Sequence, residues 1–147
     1  MTVYTIGFTK KTARCFFELI GTHNIEFLLD IRLNNKSQLA GFTKGEDLQY
    51  FLSEICHCGY QHCLEYAPTK EILSDYQKKN ITWGEYVERY TALIEERSSN
   101  GDFWKPFYSN RRVCLLCSEP TPERCHRRLL AEILAAHVPE KVEIVHI

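Results

Sequence analysis

The sequence predicts an α/β fold, a three-layer sandwich with a mostly parallel five-stranded sheet and helices on both faces. Five short runs of β-branched and apolar residues alternate along the chain with segments of helical periodicity. That alternation is typical of parallel strands joined by helices. The run 26–32 has a nearly continuous apolar middle, which indicates a strand covered on both faces. A length of 147 residues suits one unit, so we expect a single α/β domain over residues 1–147.

The first half of the chain contains three predicted strands. Strand one is the β-branched run 2–6, which Gly7 stops. A helix follows, because apolar residues recur there at helical spacing. These residues are Ala13, Phe16, Phe17 and Ile20. Strand two is the run 26–32. A second helix of the same periodicity ends near Gly59, a natural position for the residue after a helix. Strand three covers 60–65.

The second half contains two more strands and two well-marked helices. A short helix opens at 68–69, and Thr82 with Glu85 forms the capping-box pattern at the start of a longer one. We interpret the aromatic stripe of that longer helix as core. The segment 103–108 is an aromatic loop or an irregular helix. Strand four is 113–117, and Thr121 with Pro122 predicts the start of the next helix. Strand five is 142–147.

The order of the strands predicts where a ligand would bind. Right-handed crossovers leave few topologies, and we favour the order 3-2-1-4-5. In that order the two helices between strands three and four give the chain enough length to cross the sheet. Ligands of open α/β sheets bind beyond the carboxyl ends of the strands, near the point where the winding direction reverses. Here that point lies between strands one and four.

Composition excludes some classes of protein. The net charge is −1, which argues against a surface coated in basic charge for duplex DNA. No run approaches the ~18 apolar residues of a membrane span, so we expect no membrane partner. The first seven residues lack a basic region and a long apolar region, so no signal peptide is expected. Seven cysteines, an odd number, are typical of reduced thiols and a cytoplasmic location.

Polar and reactive side chains gather at the predicted edge. Cys117-Ser118-Glu119 ends strand four, and Cys125-His126-Arg127 follows in the next helix. Because the carboxyl ends of parallel strands meet at one edge, residues that follow strands one and two join them. These are Thr9, Asp30 and Arg32. We take Glu119, His126, Cys117 and Cys125 as candidate catalytic residues, and Thr9, Asp30, Arg32 and Arg127 as candidate ligand-binding residues.

Several chemistries are open to this set. A helix start near Pro122, with Arg32 and Arg127, would bind an anion. Lys10 and Lys11 would add to that clamp, or merely solvate a helix start. Cys117 would be a nucleophile with His126 as its base. Cys125 at a helix start would have a lowered pKa.

Two further readings concern the same residues. Glu119 and Asp30 would act as paired carboxylates. Cys117, Cys125 and His126 offer three zinc ligands, but their spacing matches no standard zinc motif, so we predict no metal. Cys114 and Cys117 point to opposite faces of a strand and cannot chelate together.

The chain resembles the domain of unknown function 488 family. The resemblance runs over nearly the whole chain, on Thr5-Ile6-Gly7-Phe8-Thr9, Asp30-Ile31-Arg32 and a final His146-Ile147. The Cys-x-Glu…Cys-His-Arg block at 117–127 is its most specific part and marks a subgroup. The family start has His-Ser where this chain has Phe8-Thr9, which keeps a hydroxyl but no imidazole. The resemblance implies an α/β domain and important motif residues, and supplies no reaction, substrate or cofactor.

These observations favour the binding or processing of a small anionic ligand, phosphate- or nucleotide-like, at the carboxyl edge of the sheet. Whether the protein is an enzyme stays open, and so do its cofactors and oligomeric state. One alternative is a non-catalytic nucleic-acid or nucleotide-binding module, which holds a strand by charge and by stacking on Phe8, Tyr66 and Trp104. Another is a structural role for the Cys-His-Arg block, with Glu119 and Arg127 as a buried pair.

Overall fold

The computed structural model describes residues 1–37, 40–109 and 112–147. The strands are β1 (Thr2–Gly7), β2 (Phe27–Asp30), β3 (Gly59–His62), β4 (Arg112–Cys117) and β5 (Glu143–His146). The α-helices are α1 (Ala13–Thr22), α2 (Gly45–Phe51), α3 (Lys70–Gln77), α4 (Trp83–Arg97), α5 (Lys105–Tyr108) and α6 (His126–His137). A π-helical turn, Leu52–Cys56, extends α2, and short 3₁₀ turns occupy Gly41–Thr43 and Leu64–Tyr66.

All five strands belong to one sheet, and every pairing in it is parallel. This confirms the α/β fold. The predicted order 3-2-1-4-5 is wrong, because the observed order is β3-β2-β4-β1-β5. β4 therefore lies in the centre of the sheet, and its residues from Val113 to Cys117 are at most 5% exposed. The most apolar strand takes the place where neighbours cover both its edges and both its faces.

The point of reversal stays where the sequence placed it. β1 and β4 are neighbours, with Gly7 opposite Cys117. β1 leads into α1, which packs on one face of the sheet with α2. β4 leads into α6, which packs on the other face with α3 and α4. Alternation along β4 divides its side chains in the same way, so Cys114 and Leu116 face α1 while Leu115 and Cys117 face α6.

The start of α6 differs from the prediction. The signal at Thr121 and Pro122 marks bends and turns, and the helix begins only at His126, with Cys125 as its N-cap residue. An anion site at a helix start near Pro122 is therefore wrong. The capping box of Thr82 and Glu85 is confirmed. In the described part of the chain, no helix is both long and apolar enough to cross a membrane.

Two of the three stacking candidates lie in the core. Tyr66 is 0% exposed and Trp104 is 4% exposed. Both pack against Phe103 with nearly perpendicular rings, at 4.9 and 4.7 Å between centroids. The expectation that these two rings bind a nucleic-acid strand is therefore wrong. Phe8 is half-buried, and the Arg32 guanidinium lies 5.3 Å from the centre of its ring.

Candidate functional site

A cavity of about 680 Å³, here the main cavity, opens at the carboxyl ends of β2 and β4. One side is an aromatic wall, defined as Tyr76, Trp83 and Tyr86, from α3 and α4. The loop after β4 and the start of α6 form the opposite side. That side contributes Cys117, Glu119, Arg124, Cys125 and His126. All four candidate catalytic residues therefore line one cavity.

The two cysteines and the histidine form a tight group, the Cys-Cys-His cluster (Cys117, Cys125, His126). Their side-chain sulfur and nitrogen atoms lie within 4.8 Å of one another, and all three residues are buried. Cys117 is the last residue of β4, whereas Cys125 and His126 begin α6. The cluster is thus fixed by a strand end and a helix start, which are both rigid elements.

The orientation of the His126 ring follows from its partners. Its Nε2 lies 2.8 Å from the carbonyl oxygen of Ile31. A carbonyl oxygen only accepts hydrogen bonds, so Nε2 carries the proton and donates it. Cys117 Sγ lies 3.6 Å from Nδ1 and 3.9 Å from Nε2, so it lies beside the ring rather than along the lone pair of Nδ1. In the neutral ring that lone pair is available to accept a proton or to bind a metal.

The two thiols of the cluster titrate differently. A hydrogen bond from the Cys125 thiol lowers the pKa of Cys117, although burial opposes it. Backbone N–H groups of Ser118 and Glu119 and the charge of Arg127 also lower the pKa of Cys117. The same hydrogen bond, followed by burial, raises the pKa of Cys125. Cys125 therefore keeps its proton and shares it with the Cys117 sulfur.

Arg127 lies under the cluster and is 1% exposed. Its Nε donates to Thr5 Oγ1 at 3.3 Å. Its Nη1 donates to the main-chain carbonyl oxygen of Glu119 at 2.6 Å and to Cys125 Sγ at 3.5 Å. The hypothesis of a buried Glu119–Arg127 ion pair is wrong. Arg127 donates to the main-chain carbonyl oxygen of Glu119 rather than to its carboxylate, and Glu119 is exposed beside the cavity.

Gly7 explains how the loop after β4 comes so close to β1. A Cβ atom at this position would lie 1.7 Å from the Glu119 carbonyl oxygen, nearer than any real contact, and 3.0 Å from Arg127 Nη1. Only glycine therefore lets Glu119 cross the end of β1 and accept the bond from Arg127.

Asp30 and Arg32 form a second buried group. The Asp30 carboxylate, 0% exposed, accepts bonds from Arg32 Nε and Nη2 at 2.8 and 2.7 Å, and from the Tyr60 hydroxyl at 2.6 Å. Arg32 Nη2 also donates to the Thr43 carbonyl oxygen. Burial lowers the pKa of Arg32, but the bonds and charge of Asp30 outweigh it, so the pKa is raised.

Arg32 separates the main cavity from a second cavity of about 630 Å³ and lines both. Thr9, Lys10 and Lys11 line the second cavity, with Phe8. Asp30 and Arg127 line neither and lie beneath the residues that do. The predicted ligand-binding residues thus divide into Thr9 at one opening, Arg32 between the two, and Asp30 and Arg127 as buried supports.

Sequence reasoning missed several residues of the site. Trp83 and Tyr86 of the aromatic wall were hidden because they share a face of α4 with true core residues, and Tyr86 is itself 2% exposed. Tyr76 lies on the short helix α3 and carried no signal of its own. Thr5 was missed as a partner of Arg127. The feature that could have pointed to Thr5 is a hydroxyl group inside an apolar strand, on the face that α6 covers. Arg124 carried no local signal, because an exposed arginine in a loop is ordinary.

A family model described as "Domain of unknown function DUF488" matches residues 12–134. The chain belongs to this family. The match confirms the resemblance to the family over residues 12–134, a range that includes the whole loop from Cys117 to Arg127. The motif pieces at 5–9 and 146–147 lie outside that range, and the subgroup stays a prediction. No curated protein and no solved structure matches the chain.

Proposed function

We propose that this DUF488 protein binds a small ligand with an anionic group and a planar ring, phosphate- or nucleotide-like, in the main cavity, and acts on it with the Cys-Cys-His cluster. The observation that carries the proposal is the main cavity itself. It brings an aromatic wall, exposed cationic side chains and the cluster within reach of one small molecule. Its volume, about 680 Å³, lies in the usual range of small-molecule sites, about 300–1,000 Å³.

The aromatic wall supports the ring of the ligand. Trp83 and Tyr86 are stacked, with centroids 5.1 Å apart and planes 15° apart, and Tyr76 packs against both. Stacking of a planar base on an aromatic side chain contributes about 1–3 kcal/mol. Trp83 is half-buried, so part of its ring remains accessible.

The charges around the main cavity favour an anion. Lys79 and Arg124 are exposed at its rim, while Glu119 is the carboxylate among its lining residues. Arg32 adds a third cationic group, although Asp30 already balances its charge. Arg124 and Lys79 are therefore the side chains we assign to the anionic group.

The alternative of a nucleic-acid-binding module has less support. Tyr66 and Trp104 are buried, and the net charge of the chain is −1. The volume of the main cavity is that of a site for one small molecule, whereas a strand needs a longer basic groove with stacking rings along it.

Isothermal titration calorimetry tests the proposal with three probes: inorganic phosphate, a set of nucleosides, and the corresponding nucleoside monophosphates and triphosphates. We expect a nucleoside phosphate to bind at least tenfold more tightly than either of its parts. Trp83→Leu and Arg124→Ala should each weaken that binding about tenfold, which is about 1.4 kcal/mol.

Arg14→Ala and Trp104→Phe are the matched controls. Arg14 is exposed on α1, away from the main cavity, and Trp104 is in the core. Binding should survive both changes. No heat with any probe, or equal binding by Trp83→Leu, Arg124→Ala and the unaltered protein, would overturn the proposal.

A further inference from the structure

We propose that Cys117, Cys125 and His126 form a binding site for one divalent transition metal ion, with zinc as the preferred metal. The inference deepens the proposed function, on whose cavity it rests, because the metal would be the reactive group there. Spacing along the sequence argues against such a site. The fold overrides spacing, since it brings a strand end and a helix start together across a loop of bends and turns.

The three ligand atoms are close enough to share one metal after a local rearrangement. With metal–ligand bonds of about 2.0–2.3 Å, neighbouring ligand atoms of a tetrahedron lie about 3.3–3.8 Å apart. Cys117 Sγ lies 3.6 Å from His126 Nδ1 but also 3.9 Å from Nε2, so the sulfur must shift to the Nδ1 side of the ring before both bind one ion. All three ligand atoms lie within 4.8 Å of one another, so that shift is confined to the cluster. Two sulfurs and one imidazole nitrogen are also the donor types that zinc prefers over harder cations.

The partners of the ligands are those of a metal site. Metal-binding histidines commonly donate the second ring N–H to a carbonyl oxygen, which fixes the ring and directs the other nitrogen at the metal. His126 makes this bond to Ile31 at 2.8 Å. Arg127 Nη1 lies 3.5 Å from Cys125 Sγ and donates to it. Such N–H···S bonds stabilise negative charge on a metal-bound sulfur, and Arg127 is itself held by Thr5.

The site has three protein ligands and an open side. All three residues line the main cavity, so a fourth position at the metal would face the ligand rather than the protein. Structural zinc sites have four protein ligands, whereas catalytic ones have three and leave a position to water or substrate. A metal in such an open position supplies Lewis-acid chemistry and an acidic bound water. Each thiol that binds gives up its proton to solvent.

Metal content and cobalt spectroscopy test the site. The full chain is purified under reducing conditions, and elemental analysis is expected to find about one zinc per chain. After the zinc is removed by a chelator, Co²⁺ should restore one equivalent and give the absorption of thiolate-to-cobalt charge transfer with tetrahedral d–d bands. Cys117→Ser and Cys125→Ser should each reduce that charge-transfer band and weaken cobalt binding by at least tenfold.

Cys114→Ser is the matched control, because Cys114 is buried in the same strand but faces α1. It should retain the full cobalt spectrum. Alkylation of the unaltered folded protein needs no variant. Cys117 and Cys125 should react more slowly with zinc bound than after the zinc is removed, while Cys15, which is exposed, should react at the same rate in both.

Three results would overturn the inference. They are zinc below a tenth of an equivalent with no cobalt band in reduced protein, a cobalt band that survives in both Cys117→Ser and Cys125→Ser, and a Cys117–Cys125 disulfide that re-forms in air and excludes cobalt. The proposed function fails separately. If the protein binds metal but none of the nucleotide probes, only the proposed ligand is wrong. If it binds a nucleotide but no metal, only the metal site is wrong.

Discussion

Arg32 and Arg127 are both buried arginines at the same edge of the sheet, but their surroundings differ. Arg32 donates two bonds to the Asp30 carboxylate, so its charge is balanced by an opposite charge. Arg127 donates to a hydroxyl, a carbonyl and a sulfur, none of which is a carboxylate. A buried cation needs compensation. The Cys125 thiol, which can become anionic, accepts a bond from Arg127, and the charge of Arg127 also acts on Cys117 and on the exposed Glu123.

The difference assigns two roles. The Asp30–Arg32 pair holds the end of β2 and separates the two cavities, so it acts mainly on stability. The charge of Arg127 lowers the pKa of Cys117 and its Nη1 donates to Cys125 Sγ, so we expect its substitution to act mainly on these two thiols. Substitutions at the two arginines should therefore separate stability from metal binding.

The largest effect is expected from Asp30→Asn. The change leaves Arg32 as a buried charge without its partner, which typically costs about 3–5 kcal/mol. Urea unfolding measures the loss. Asp75→Asn is the control, because its pair with Arg89 is partly exposed and should cost at most about 1 kcal/mol. Equal losses for the two variants would show that the Asp30–Arg32 pair has no special structural role.

Arg127→Met should lower the free energy of unfolding less than Asp30→Asn does, and it should weaken metal binding more. The change removes the charge itself and leaves Thr5 and the Glu119 carbonyl without their donor, at a cost of about 1–3 kcal/mol. It also removes the N–H···S bond to Cys125, so cobalt affinity should fall about 10- to 100-fold. Urea unfolding and cobalt titration measure the two effects.

Arg32→Met provides the reciprocal control. It should lower the free energy of unfolding more than Arg127→Met does, because Asp30 is left charged and buried, but it should preserve cobalt affinity. If the two arginine variants changed stability and cobalt affinity in the same proportion, the division of roles would be wrong.

Gly7→Ala tests how the loop reaches Arg127. The new Cβ would meet the Glu119 carbonyl oxygen at 1.7 Å, so the loop must move away and the bond from Arg127 must lengthen. We expect a loss of about 1–3 kcal/mol, as for other overpacked sites. Gly21→Ala is the control, because nothing lies within 4 Å of its added Cβ. It should raise the free energy of unfolding by about 0.5–1 kcal/mol, since alanine favours the helix α1 more than glycine does. Unchanged stability of Gly7→Ala in urea would contradict the close crossing.

The sequence predicted which candidate residues lie together better than it predicted how they are held. Cys117, Glu119, Cys125 and His126 share the main cavity because the strand-end rule depends only on parallel strands, which periodicity reveals. The order of the strands could not be read, because the long connection from β3 to β4 reaches any position in the sheet. The acceptor of Arg127 and the close grouping of Cys117, Cys125 and His126 were hidden for another reason. They depend on main-chain crossings, which leave no local pattern beyond Gly7.

The smallest expected effect concerns His146, which contacts Thr5, a hydrogen-bond partner of Arg127. The Thr5 hydroxyl accepts from Arg127 and lies 2.6 Å from His146 Nδ1, within hydrogen-bond distance. Burial and the charge of Arg127 lower the pKa of His146 in the folded chain. The unfolded chain therefore binds the proton more readily, and the free energy of unfolding should fall as the pH falls below about 6.5.

The His146→Gln variant isolates this contribution. Its free energy of unfolding should depend less on pH than that of the unaltered protein between about pH 7.5 and 5, where most carboxylates stay ionised. Urea unfolding at a series of pH values measures the difference between the two slopes. Arg127→Met should also flatten the slope, because it removes a cation that lowers the pKa of His146. Identical slopes in all three proteins would mean that the charge of Arg127 is compensated before it reaches Thr5, and that the contrast with Arg32 is smaller than the contacts indicate.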